Sequence, residues 1–72
     1  MIEIRGRVPL EKYSGFVSVS SDTQVRHLFD ILGIPEDLRG YILAIRNGKI
    51  IQHSDIVTDG SALDLIIIPE GG

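Results

Sequence analysis

The chain has 72 residues, no cysteine, 43% hydrophobic residues and a formal net charge of −3. That length allows one domain with a thin stability margin, and the lack of cysteine excludes disulfides, thiolate-bound clusters, zinc fingers and thiol catalysis. The basic residues (Arg5, Arg7, Lys12, Arg26, Arg39, Arg46 and Lys49) are scattered and the apolar runs, such as residues 41–45 and 65–68, are short, so neither nucleic acid nor a membrane is expected as a partner.

Residues 1–8 alternate, with Ile2, Ile4 and Val8 on one face and Glu3, Arg5 and Arg7 on the other. This is the pattern of a half-buried strand, not of a signal peptide. Pro9 brings no amide hydrogen and should end that strand. Residues 16–20 alternate again, Phe16 opposite Val17 and Val19, and should pair antiparallel with the first strand across a loop over 10–15. Ser21, Asp22 and Thr23 have short side chains that accept from the free amides of a first helical turn, and Thr23 is the preferred cap. Val25, Leu28, Phe29 and Leu32 then follow helical spacing, turning Arg26, His27 and Asp30 to water. Gly33 and Pro35 should close a helix of about ten residues. An irregular connector over 34–40, with a short turn at 35–38, leads to the apolar run 41–45, expected of a central strand. Asn47-Gly48 asks for a type I′ hairpin and a short return strand over 49–52. Asp59-Gly60 marks another turn, and residues 62–68 make a last strand rich in β-branched side chains.

Strands interrupted by one main helix argue for an α+β fold, the helix packed on one face of a mixed sheet of four to five strands. Element order, length and three motifs carry a resemblance. The motifs are Asn47-Gly48-Lys49-Ile50-Ile51, then Val57-Thr58-Asp59-Gly60-Ser61, then a β-rich strand ending in Pro69-Glu70-Gly71-Gly72. In this order they resemble the ThiS/MoaD family of ubiquitin-like sulfur-carrier proteins, across essentially the whole chain. The resemblance implies a β-grasp domain over 1–68, with the first and last strands side by side in mid-sheet, and a flexible Gly-Gly tail over 69–72.

It also implies a carrier and not an enzyme. An adenylating enzyme of the ubiquitin-activating type, using ATP and magnesium, would join the Gly72 carboxylate to AMP. A sulfur donor would convert the acyl-adenylate to a thiocarboxylate. A sulfur-accepting biosynthetic enzyme, making the thiamine thiazole or molybdopterin, would take the sulfur. Such a chain binds no cofactor of its own, works in the cytoplasm and is expected to be a monomer when free. Relatives serve tRNA thiolation or ubiquitin-like conjugation. Molybdopterin carriers often have two prolines before the tail, where this chain has Pro69 alone.

The tail suits that chemistry. A terminal carboxyl (pKa roughly 3.3–3.7) is ionised at neutral pH and is a poor electrophile until it is activated. Without a Cβ, Gly71 and Gly72 let backbone enter a narrow channel of a partner. Pro69 and Glu70 would enter with them, Pro69 as a strand terminator, a stiffener or both. The bland reading of Gly-Gly is a frayed end. On the last strand Leu63, Leu65 and Ile67 share one face, and Ala62, Asp64, Ile66 and Ile68 the other. A charge at Asp64 suggests that this second face meets solvent. Ile66 and Ile68 would then form an apolar docking patch beside the tail, framed by Arg5 and Arg7. Alternatively another element covers the two isoleucines, and the arginines are solvated strand charges.

Other constellations are thin. His53, Ser54 and Asp55 are contiguous, which is not how a triad is built. His27 and Asp30 read as a surface pair, Glu36 and Asp37 as turn residues, and Asp55 with Asp59 lacks the further ligands of a calcium site. Three readings therefore compete: a sulfur carrier, a ubiquitin-like modifier whose Gly72 ends as an amide on target lysines, and a non-covalent β-grasp binding domain.

Overall fold

The computed structural model describes residues 1–68. Strand β1 (Ile2–Gly6) buries Ile2 and Ile4 and pairs antiparallel with β2 (Gly15–Val17), Ile2 opposite Val17 and Ile4 opposite Gly15. A single 3-10 turn (Glu11–Tyr13) lies between them. The first strand does not reach residue 8. The chain reverses there, Leu10 N–H donating to the Arg7 carbonyl at 2.6 Å, so Val8 is exposed and Leu10 takes the inward place expected of it.

That reversal requires a glycine. A Cβ at residue 6 would sit 2.0 Å from the Leu10 carbonyl oxygen, a backbone atom that cannot step aside alone. Gly6 N–H also donates to Ser14 Oγ at 2.9 Å, closing the same loop. Gly6→Ala is therefore expected to lower stability by about 1–3 kcal/mol, as overpacking does. An unchanged urea midpoint would show that the loop yields without cost.

The second strand is shorter than its alternation suggested. After Val17 the chain leaves the sheet and forms β3 (Thr23–Gln24), which pairs with a two-residue strand at Ile56–Val57. Thr23 is thus a buried strand residue, and the expectation that it caps the helix is wrong. Helix α1 (Val25–Leu32) starts after Gln24 with no side-chain cap. Its first amides are met by a remote loop instead: Val25 N–H donates to the Asp55 carbonyl at 3.1 Å and Arg26 N–H to the His53 carbonyl at 2.9 Å. Orphan donors need an acceptor of some kind, and tertiary packing supplied one that local sequence could not show. Gly33 ends the helix in the left-handed conformation, as its position implied.

The connector contains a four-residue helix, α2 (Glu36–Arg39). Arg39 ties it back to α1: its guanidinium donates from Nε to the Ile34 carbonyl at 2.9 Å and from Nη1 to Asp30 Oδ1. An arginine at a helix end satisfies carbonyls that the helix leaves open.

Strand β4 (Ile42–Arg46) and strand β5 (Lys49–Ile51) form the expected hairpin, with Asn47 at φ 54° and Gly48 at φ 78°. Both central residues need positive φ in this turn, which asparagine tolerates and glycine adopts freely. The Ile56–Val57 strand is β6, and β7 (Ala62–Ile67) closes the main sheet. The sheet order is β2-β1-β7-β4-β5, with β1 and β7 parallel and the other neighbours antiparallel.

One face of this sheet carries Ile2, Ile4, Val17, Ile42, Ala44, Leu63 and Leu65, all buried. Against it α1 packs Val25, Leu28 and Phe29, and Leu10, Ile34 and Val57 complete the core. Helix α1 covers only this side, so the other face of the sheet is left without a helix.

Candidate functional site

Lateral neighbours in a sheet point to the same face, so the strand register maps the outer surface. Leu43 lies opposite Ile66, Ile45 opposite both Asp64 and Ile50, Arg5 opposite Asp64, and Glu3 opposite both Ala62 and Phe16. The apolar side chains among them are half-buried at Leu43, Ile45 and Ile66, and Ile50 on the edge strand is 64% exposed. They form a continuous apolar band from β5 across β4 to β7. Ile68, 39% exposed, extends it one residue past the strand. Its N–H donates to the Tyr41 carbonyl at 2.7 Å, which carries the β4–β7 pairing to the last described residue.

Of the sequence-derived docking residues, Ile66 and Ile68 thus lie at the β7 end of this band. Leu43, Ile45 and Ile50 were missed. They sit in an unbroken apolar stretch of sequence on either side of the hairpin, and only the pairing of β4 with β7 and β5 shows which of them face outward. Pro69, Glu70, Gly71 and Gly72 lie outside the described residues.

Arg5 and Arg7 border the band on the β1 side, around Asp64. Arg5 Nε is 3.0 Å from Asp64 Oδ1 and Arg7 Nη2 is 3.8 Å from the same oxygen. The Asp64 side chain is only 21% exposed, so it does not meet solvent as freely as its charge suggested. Oδ1 itself is closed to solvent and accepts no well-formed hydrogen bond, the Arg5 contact being short but off the N–H direction. Coulomb attraction to two guanidinium groups tolerates that misalignment and holds the carboxylate in place.

Several of the remaining polar residues have structural partners. His53 Nε2 lies 2.9 Å from the Ile42 carbonyl, and its ring meets Phe29 edge-on at 4.9 Å. Asp55 Oδ2 accepts from Gln52 N–H at 2.7 Å, and Asp59 pairs with the Met1 amino group. His27 and Asp30 are 3.9 Å apart on the exposed helix surface, and Asp30 also holds Arg39. No three His, Asp or Glu side chains among the described residues gather as a metal site, and no described helix is long and apolar enough to cross a membrane. Two surface depressions remain. One lies beside α1 and is lined by Ser18, Ser20, Ser21, Thr23 and His27, and the other by Arg26, Asp30, Glu36, Arg39 and His53. In the first, His27 faces Asp30 and makes no hydrogen bond to the hydroxyls among the described residues, and the second has no hydroxyl or thiol in its lining.

A mixed five-stranded sheet with parallel central strands β1 and β7, one main helix across one face and the other face open, is the ubiquitin-like β-grasp fold. The chain shares this fold with the crystal structure of the thiamine biosynthesis protein ThiS from Geobacter metallireducens. The TM-score is 0.66 at 19% identity, over 99% of this chain and 97% of that one. The solution structure of that same protein superposes with a TM-score of 0.57 at 20% identity, over 99% and 86% of the two chains. No protein-family model matches the sequence, and no curated protein matches it.

Proposed function

We propose that the chain is a sulfur carrier whose working group is the Gly72 carboxylate, in a pathway of the thiamine-thiazole kind. The observation that carries this is the union of an open apolar sheet face with the strand that leads to Gly71-Gly72: Ile66 and Ile68, the last outward residues before Pro69, belong to the band that Leu43, Ile45 and Ile50 extend. A partner seated on that band is beside Ile68, the residue that precedes Pro69 in sequence. The thiamine assignment, over molybdopterin, is supported by the fold shared with one thiamine biosynthesis protein, solved both in the crystal and in solution, and by the single proline before the tail.

In this reading the chain is a substrate. A carboxylate oxygen of Gly72 attacks the α-phosphorus of ATP on an adenylating enzyme of the ubiquitin-activating type, and pyrophosphate leaves. A sulfur donor then displaces AMP from the carbonyl carbon, and the thiocarboxylate passes its sulfur to the accepting enzyme in the cytoplasm. ATP and magnesium belong to the partner. The work of this chain is to dock and to deliver the terminus.

Intact-mass analysis of protein recovered from cells tests the assignment. One sulfur in place of one oxygen at Gly72 is the expected result. Ladders of higher-mass conjugates would instead mark a modifier, and a terminus that no activating enzyme charges with AMP would leave only a binding domain. The docking face has its own test. Ile66→Asp and Ile50→Asp should each raise the KM for AMP transfer by about tenfold or more, because an unpaired carboxylate in an apolar contact costs more than the roughly 1–3 kcal/mol of a neutral polar group. Ile50 lies on an exposed edge, so its variant should keep the wild-type urea midpoint. Normal activation of both variants would move the docking site elsewhere.

A further inference from the structure

We infer that Arg7 reads the partner: the surface that docks on the outer face places a carboxylate beside its apolar patch, and that carboxylate pairs with Arg7 while Arg5 stays on Asp64. The inference rests on the carrier reading and names the chemistry of its partner.

The two arginines differ in how far they are committed. Arg5 is fixed opposite Asp64 by the parallel β1–β7 register and lies 3.0 Å from the carboxylate. Arg7 lies just past the end of β1. Its backbone is fixed, the N–H donating to the Leu65 carbonyl at 2.9 Å, but its side chain is 68% exposed and only 3.8 Å from an oxygen that Arg5 already holds. At that distance Arg7 makes no hydrogen bond to Asp64, so its planar fork of donors is open to a second carboxylate. Among the described residues the other acid on this face is Glu3, which stands between Phe16 and Ala62 and forms no ion pair with either arginine.

Asp64 is the positioning residue of this arrangement. It stands between Arg5 on one flank and Ile45 on the other, at the boundary of the basic rim and the apolar band. Its negative charge draws both guanidinium groups, at 3.0 and 3.8 Å, to the edge of the band, where a partner carboxylate would complete an alternating chain of four charges. Bidentate Arg–carboxylate pairs add geometric selectivity as well as attraction. A rim charge acts mainly on association rate and salt dependence.

The experiment uses the full chain and the adenylating enzyme that transfers AMP to it, with KM and kcat measured across a salt series. Wild-type KM should rise with salt. Arg7→Glu should raise KM by about tenfold at low salt, the lower end of electrostatic steering effects, with kcat unchanged, and Arg7→Gln should flatten the salt dependence. Arg7→Lys should recover part of the loss. Arg26→Glu makes the same change in net charge on the helix side, where Arg26 is exposed, and should leave KM alone. Wild-type KM in Arg7→Glu, an unchanged salt slope in Arg7→Gln, or an equal effect from Arg26→Glu would each overturn the assignment to Arg7 while leaving the carrier reading intact. If the wild-type chain accepts no AMP, the carrier reading fails and this inference falls with it.

Discussion

A chain carrying one additional alanine after Gly72 is expected to lose AMP transfer by more than about 10²-fold, because a displacement of even ~1 Å of a reacting group can cost that much. One residue moves the terminal carboxylate by up to ~3.6 Å, and it places an amide, which cannot attack as a carboxylate does, where the reacting oxygen should be. The loss should fall on kcat, since the apolar band on β4, β5 and β7, the proposed docking face, is untouched and binding should survive. ATP–pyrophosphate exchange measures the chemistry, and competition of the extended chain against wild type measures the docking. An extended chain that inhibits without being charged is the expected outcome. Exchange at the wild-type rate would show that Gly72 is not the acceptor, and would remove the reason for treating this β-grasp domain as a carrier.

Phe29→Ala should have the largest effect on the fold. Phe29 is 1% exposed, packs from α1 into the core of the main sheet, and meets the His53 ring edge-on. Its carbonyl accepts from Ile34 N–H at 3.1 Å, where the chain turns out of the helix. Truncating a buried phenylalanine costs about 3–5 kcal/mol. A domain of this length has roughly 4–11 kcal/mol in all, at ~0.05–0.15 kcal/mol per residue, so the substitution should remove a large share of its stability. With no disulfide available, nothing covalent offsets the loss. Urea unfolding should show a lower midpoint at unchanged slope. A change below about 1 kcal/mol would mean that the helix–sheet contact is not the centre of the core.

The elements with a local cause are legible in the sequence alone. Alternation places Ile2 and Ile4 inward, and helical spacing places Val25, Leu28 and Phe29 on one face. Asn47-Gly48 names its own turn, because the required backbone angles restrict which residues can stand there. The candidate site is half legible. Period-two geometry along β7 puts Ile66 and Ile68 on the face opposite Leu63 and Leu65 with no knowledge of any neighbour.

What failed locally has a common reason. Thr23 has the chemistry of a cap, but backbone carbonyls of His53 and Asp55, about thirty residues away in sequence, reach the helix start first and draw Thr23 into a strand. Val8 continues the alternation of β1, but the turn that brings in Leu10 ends the strand two residues earlier. Arg39 looks like one scattered charge, and its role as a latch needs Asp30 and Ile34 folded beside it.

By itself, then, the order of residues determined the main strands and the main helix, the hairpin turn, and the inward residues of β1, α1 and β7. Tertiary structure alone decided the strand order, hence that Leu43, Ile45, Ile50 and Ile66 join into one outward band with Arg5 and Arg7 gathered at Asp64. Periodicity acts over a few bonds along the chain, whereas a surface is assembled sideways, by hydrogen bonds between strands whose partners no local pattern names.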